Sequence, residues 1–349
     1  MIAAARTRFV LPAELSAGQP PESRGLRRDQ VRLLVADGAA VWHARFADLG
    51  RFLSPGDLVV VNTSATLPAA VDADGVVVHF STALDEPDTW LVELRRPDQS
   101  GPVGDAVPGE RITLPAGASL TLLGATGRLW RARVTVPGGV RGYLARHGRP
   151  IAYGYLRGRF PLAAYQTVFA RDPGSAELPG AGSAEMPGAG RPFTAELVTG
   201  LVAAGIGIAP ITLHTGVSSL EGDEPPQPER FAVPEPTARQ VNLARRTGGR
   251  VVAVGTTVAR ALETVARPDG TVVAGGGWTD LVLGPDRPAR VVDGLVTGWH
   301  EPHASHLLLL EAVAGAELVQ RAYDAALTNR YLWHEFGDSC LLFRPREDR

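Results

Sequence analysis

The chain has 349 residues, 44% of them hydrophobic and 21% charged, with a formal net charge of −2 and one cysteine, Cys340. That length allows two domains, the composition is that of a folded globular chain rather than a disordered one, and a lone cysteine excludes an internal disulfide and any multi-cysteine zinc or iron–sulfur site. All 35 basic residues are arginine, which removes lysine as a Schiff base, general base or phosphate clamp.

Neither the first ten residues nor the run Leu307 to Leu310, closed by Glu311, has the length and flanks of a targeting or membrane-spanning segment. The expectation is a cytoplasmic protein with no membrane partner. In chain order, Leu33 to Val35 is an apolar run ending at an Asp37-Gly38 turn, with a strand through Val41 and Trp42 expected beyond it. A turn at Ser54 to Asp57 feeds Leu58 to Val61, a run of the type buried on both faces, which ends at the polar Asn62, Thr63 and Ser64. From Val71 to Arg159 short β-rich runs (Val76 to Phe80, Thr89 to Leu94, Ile112 to Leu114, Leu120 to Leu123, Leu129 to Val136) alternate with Gly, Pro and Asp, and no long helix is expected. This is the pattern of an antiparallel β-barrel inserted in an α/β main domain, giving residues 71–159 to the insert and 1–70 with 160–349 to the main domain.

Between Arg111 and Arg171 there are ten arginines and no Asp or Glu, interleaved with Trp130, Tyr143, Tyr153, Tyr155 and Phe160. Phosphate contacts and base stacking need that combination, so segment 111–171 is a candidate RNA surface; a solvated charged face is the plainer alternative. Ser175 to Gly190 repeats Ser-Ala-Glu-Leu/Met-Pro-Gly-Ala-Gly twice, and such Gly- and Pro-rich duplication reads as a mobile loop. A helix over Phe193 to Ala204 and a strand over Ile206 to Leu213 follow, the strand ending at His214, Thr215 and Gly216. Glu221 to Pro236 reads as extended and Thr237 to Arg246 as a helix.

Arg250 to Val254 is a second doubly buried strand and Val258 to Ala266 a helix, joined by Gly255, Thr256 and Thr257. Such a turn leaves the first N–H groups of the helix free for a carboxylate or phosphate. Arg260, one turn into this helix, either serves that anion or pairs with Glu263 on the helix surface. Strands are expected at Asp280 to Leu283 and Arg290 to Val292. His300, His303 and His306 are spaced by three, but Pro302 interrupts any helix that would align them, so no metal is expected. One long helix over Ser305 to Tyr331 and a final strand over Cys340 to Phe343 complete the chain.

These pieces resemble the S-adenosylmethionine:tRNA ribosyltransferase-isomerases of queuosine biosynthesis. The resemblance is carried by Leu58 to Asn62, Tyr165 to Ala170, Phe193-Thr194, Leu213 to Gly216, Gly248 to Glu263, Val296 to His300, and Tyr331 with Gly337-Asp338, in the family's order and spread over nearly the whole chain. It implies an α/β main domain with an inserted β-barrel. It also implies transfer of the ribosyl group of S-adenosylmethionine, the co-substrate, onto the aminomethyl nitrogen of a deazaguanine in a tRNA anticodon, with loss of adenine and methionine and formation of epoxyqueuosine. Such chemistry needs a base at the carbon beside the sulfonium and a proton donor for adenine. His214, His300, Glu229 and Tyr165 are the candidates for these roles; Gly255, Thr256, Thr257, Arg260, Gly216 and Thr297 are the candidates for holding S-adenosylmethionine, with the methionine carboxylate at the Gly255 turn.

The chain departs from the family pattern at several polar positions. Pro192 and Gln227 stand where the family has histidines, and Asn62-Thr63-Ser64-Ala65 replaces Asn-Asp-Thr-Arg. Three readings follow: the tRNA-modifying enzyme, a paralogue that uses or cleaves S-adenosylmethionine with a small-molecule acceptor, and a non-catalytic binding protein that keeps the fold. Oligomeric state has no signal in the sequence.

Overall fold

The computed structural model describes residues 4–98, 101–171, 182–218 and 226–345. The two β-branched runs, Leu58–Asn62 and Val251–Val254, pair in parallel inside a nine-stranded mixed sheet. Their alternate residues serve opposite faces: Leu58, Val60, Val251 and Ala253 join one core, Val59, Val61, Val252 and Val254 another. Burial on both faces is the reason these strands carry no polar alternation.

The strands of this sheet are β1 (Arg32–Asp37), β2 (Ala40–Arg45), β3 (Leu58–Asn62), β10 (Gly207–His214), β11 (Glu229–Val233), β12 (Val251–Val254), β13 (Gly275–Thr279), β14 (Gly294–Gly298) and β15 (Ser339–Phe343). Their spatial order is β13-β11-β10-β3-β12-β14-β15-β1-β2. Helices α3 (Glu235–Arg246), α4 (Thr256–Thr264), α5 (His306–Ala314) and α6 (Ala316–Thr328) contribute to the first core, and α2 (Ala195–Ala203), capped by the Thr194 hydroxyl on Leu197 N–H, to the second.

Six further strands, β4 (Ala70–Ala73), β5 (Val76–Ala83), β6 (Thr89–Arg95), β7 (Arg111–Thr113), β8 (Ser119–Thr126) and β9 (Leu129–Thr135), form a second, wholly antiparallel sheet in the order β4-β5-β6-β9-β8-β7. Register shifts at Phe80/Thr82 and Leu122/Gly124 bend it. It has its own core, to which α1 (Val140–His147) adds Val140, Tyr143 and Leu144. β4 and β7 stand at its edges, and no ladder joins them among the described residues. The expected α/β unit and antiparallel sheet are present; closure into a barrel is not seen at this level.

Several local expectations need correction. Asp280 to Leu283 and Arg290 to Val292 are not strands. The N–H groups of Arg290, Val291 and Val292 are instead taken by the buried Glu263 carboxylate at 2.7–3.1 Å, and the Leu281 carbonyl accepts from Arg260 Nε. Side chains have captured the backbone groups that a ladder would use. The helix expected over Ser305 to Tyr331 is two, broken at Gly315. The duplicated loop is also not uniform: its first copy lies outside the described residues apart from Gly182, while in the second Ser183, Ala184 and Met186 are buried. No helix among the described residues is long and apolar enough to cross a membrane.

Candidate functional site

β12 and β14 end beside one another, and Gly255 N–H still donates to Val296 O at 2.8 Å before the chain turns into α4. Gly255 sits at φ 95°, ψ 153°, a region open essentially to glycine alone. The N–H groups of Thr256, Thr257 and Val258 precede the first intrahelical bond, from Ala259 N to Gly255 O, and no side chain caps them. This helix end opens on a cleft of about 420 Å³ and on an adjoining cavity of about 70 Å³; Thr256, Thr257, Thr215, Ser218 and His306 line both.

Gly255, Thr256, Thr257, Thr297 and His300 all face the large cleft. His300 Nε2 is 3.0 Å from Thr297 Oγ1, the His300 backbone N–H donates to the Tyr323 hydroxyl at 3.3 Å, and the ring is stacked on His306 with centroids 4.5 Å apart. Burial, with His306 and His334 nearby, holds the His300 imidazole well below its usual range. Burial and Arg260 bring His306 down to about 4. Near neutral pH both rings are therefore uncharged.

Gly216, Glu229 and Arg260 line the small cavity and form one network. Arg260 pairs with Glu229, and its remaining donors reach the carbonyls of Leu281, Thr279 and Gln227 at 3.1–3.3 Å; Glu229 also accepts Gly216 N–H at 3.2 Å. The proposed surface pairing of Arg260 with Glu263 is thus replaced by a buried pairing 31 residues away in sequence. Burial raises the Glu229 carboxyl, with Arg260 opposing the shift. This pair shapes the wall beneath the α4 terminus, and most of its donors are already spent on protein acceptors.

His214 and Tyr165 line neither cavity. His214 Nδ1 is 2.8 Å from Ser64 Oγ, which accepts from Ser183 Oγ at 2.8 Å, and Ser183 accepts from Thr215 N–H at 3.1 Å. Burial, then Arg230 and Arg141, take His214 to about 4. Its place is in a buried hydroxyl chain that fastens the second repeat copy to β3 and β10. Tyr165 is packed against Phe336, ring centroids 5.1 Å apart, in a small cluster with Ala17 and Met186, and burial pushes its hydroxyl to about 12. Asn62 likewise bridges backbone, accepting Leu213 N–H and donating to Leu213 O. Asp338 accepts from Arg32 and Leu332 N–H, tying β1 to the C-terminal segment.

Composition did not single out Glu185, His334 and Glu335, which also face the cleft with Tyr153 and Tyr155. They sit in the second repeat copy and in the Tyr331 to Asp338 motif, and motif context was the only available signal. Among the described residues no group of three His, Cys, Asp or Glu side chains is arranged to hold a metal. In the arginine-rich segment, Arg128 pairs with Glu93, Arg131 and Arg133 with Glu86, and Arg149 and Arg159 with Asp72. A stretch free of carboxylates in sequence is therefore partly neutralised by its neighbours in space.

A family model described as queuosine biosynthesis protein matches residues 5–342. The S-adenosylmethionine:tRNA ribosyltransferase-isomerase of Symbiobacterium thermophilum is 37% identical over 96% of this chain and 98% of its own length. That of Geobacter sulfurreducens is 33% identical over the same shares. A crystal structure of S-adenosylmethionine tRNA ribosyltransferase from Thermotoga maritima superposes with a TM-score of 0.52 at 28% identity, covering 95% of this chain and 98% of that one.

Proposed function

The chain belongs to the queuosine biosynthesis protein family, and from that premise we propose that it is a transferase-isomerase that moves the ribosyl group of S-adenosylmethionine onto 7-aminomethyl-7-deazaguanine in tRNA, giving epoxyqueuosine. The observation that carries this reading is the uncapped α4 terminus at the junction of two cavities, with a pair of uncharged imidazoles beside it. In this reading the N–H groups of Thr256, Thr257 and Val258 bind the methionine carboxylate, where the helix dipole favours an anion. Gly255 admits the close approach, Thr297 orients His300, and Arg260 with Glu229 and Gly216 supports the floor rather than touching the carboxylate.

Abstraction of the proton next to the sulfonium falls to His300, which among His214, His300, Glu229 and Tyr165 is the one that lines the large cleft. His306, stacked against it, disfavours the charged imidazolium, so His300 holds the proton only transiently. Residues 71–159 are proposed as an inserted β-barrel domain on a main domain of 1–70 and 160–349. The tRNA is proposed to run along segment 111–171, where Arg157 and Arg171 are exposed, and this substrate makes the cytoplasm the working compartment.

One set of observations favours the paralogue with a small-molecule acceptor: Pro192 lines the cleft where the family has a histidine, and carboxylates neutralise five of the ten arginines of the segment. Adenine release separates the two. With purified protein and S-adenosylmethionine, release is expected only after precursor tRNA is added. Release without RNA selects the small acceptor, and absence of S-adenosylmethionine binding by calorimetry refutes both.

A further inference from the structure

The wall of the large cleft made by Tyr153, Tyr155, His334 and Glu335 has no part in the chemistry above. Tyr155 is stacked on His334, centroids 4.0 Å apart and planes within 11°, and lies 6.1 Å from the Tyr153 ring at 26°. Each tyrosine hydroxyl donates to a carboxylate, Tyr153 to Glu185 and Tyr155 to Glu335. Glu185 also accepts Ser218 N–H at 2.9 Å and the Ser218 hydroxyl, so three donors occupy it. Glu335 has Tyr155 as its side-chain donor, and among the described residues neither carboxylate has an ion-pair partner. Both are half-buried on the cleft wall, where a carboxylate is partly desolvated and favours a cationic partner. An aromatic wall carrying one with spare lone pairs suits a planar ligand that bears its own positive charge.

We infer that Glu335 is the group that recognises the acceptor: it binds the ammonium of the aminomethyl substituent while the planar base lies against the Tyr153, Tyr155 and His334 wall, and it then removes the proton that keeps this nitrogen from reacting. This rests on the function proposed above. In the step one N–H bond of the ammonium breaks, its electron pair stays on nitrogen, and the proton goes to a Glu335 oxygen. A cation and an anion become two neutral groups, and the freed pair is available to bond to the ribosyl carbon. Burial pushes the Glu335 carboxyl up to about 7, with the Tyr155 hydrogen bond opposing and Glu185 adding to the shift. The other ionisable groups around it are Tyr153, Tyr165, Arg95 over the Tyr153 ring, His334, and Glu301, 3.4 Å from His334 Nε2. Burial brings His334 to about 4, so it adds no competing cation near neutral pH.

The test uses two anticodon stem-loops that differ only in carrying 7-aminomethyl-7-deazaguanine or guanine at the modified position. The wild-type protein should prefer the aminomethyl form, and Glu335→Gln should lower that preference roughly 10- to 100-fold. The variant's affinity for S-adenosylmethionine and for the guanine stem-loop should remain. Tyr155→Phe, which keeps the charge, should retain most of the preference. A wild-type protein that binds both stem-loops equally, or a Glu335→Gln variant that still discriminates, overturns the inference while leaving the tRNA reading in place. Failure of the wild type to bind either stem-loop refutes the RNA acceptor itself, and the inference falls with it.

Discussion

Replacing Arg260 by methionine would strip the cation from a carboxylate whose side chain is only 9% exposed, while keeping most of the apolar stem. Breaking one side of a buried pair in this way costs about 3–5 kcal/mol, because the remaining charge is left without compensation. The variant can relieve part of that cost by protonating Glu229, and each unit by which its folded pKa exceeds the unfolded one is worth ~1.4 kcal/mol. Burial already raises this carboxyl, and removal of Arg260 moves it further in the same direction. The folded variant then binds the proton more tightly than the unfolded chain. Its stability is fullest below the unfolded carboxyl value and is lost as pH rises through the folded one. Urea unfolding at several pH values should therefore show Arg260→Met far weaker than wild type at pH 8 and closer to it near pH 4.5. Glu229→Gln in the same chain should restore the ionic part, giving a coupling free energy of about 2–4 kcal/mol in a double-mutant cycle. A coupling below ~0.5 kcal/mol with no pH dependence would refute the claim that this pair, rather than a surface contact with Glu263, fixes Arg260.

Two further outcomes follow from the same geometry. Gly255→Ala places a side chain at φ 95°, at a cost of ~1–3 kcal/mol, and should weaken S-adenosylmethionine binding in calorimetry more than it lowers the urea midpoint; unchanged affinity would move the carboxylate away from the α4 terminus. His214, His306 and His334, each brought by burial to about 4 in the folded protein, bind protons better when unfolded. Stability should thus be full above pH 6.5 and decline as pH falls toward 4, and His334→Phe, which keeps a ring against Tyr155, should make the decline measurably shallower in thermal melts.

What could be read from sequence was whatever the chain encodes locally. The doubly buried runs at Leu58 to Val61 and Val251 to Val254 declared themselves because both faces are apolar, and Gly255-Thr256-Thr257 because a turn into a helix needs that chemistry. Partnerships across long distances left no such mark. Arg260 had an acidic neighbour one turn away in Glu263, yet that carboxylate is consumed by three N–H groups of the 290–292 segment, and the arginine turns to Glu229 on another strand. The same capture erased the strand expected there. Tyr155 and Glu335 are 180 positions apart, so only the fold could reveal the cleft wall that they share. His214 and Tyr165 had the right chemistry and motif context, but their side chains turn into hydroxyl and aromatic packing behind the cleft.

The eight-residue duplication has a genetic consequence. Ser183, Glu185 and Met186, which fasten and line the cleft, have counterparts in Ser175, Glu177 and Leu178 of the preceding copy, and Gly174 precedes the first copy as Gly182 precedes the second. Gly182 lies so close to the Ala65 carbonyl that an added Cβ would come within 2.8 Å. Loss of one copy would therefore keep the glycine and the residue types of the site in order, with two residues, Asp172 and Pro173, left between Arg171 and that glycine. In sequence, the repeat can thus contract by one unit without removing a residue type that the second copy supplies to the cleft wall.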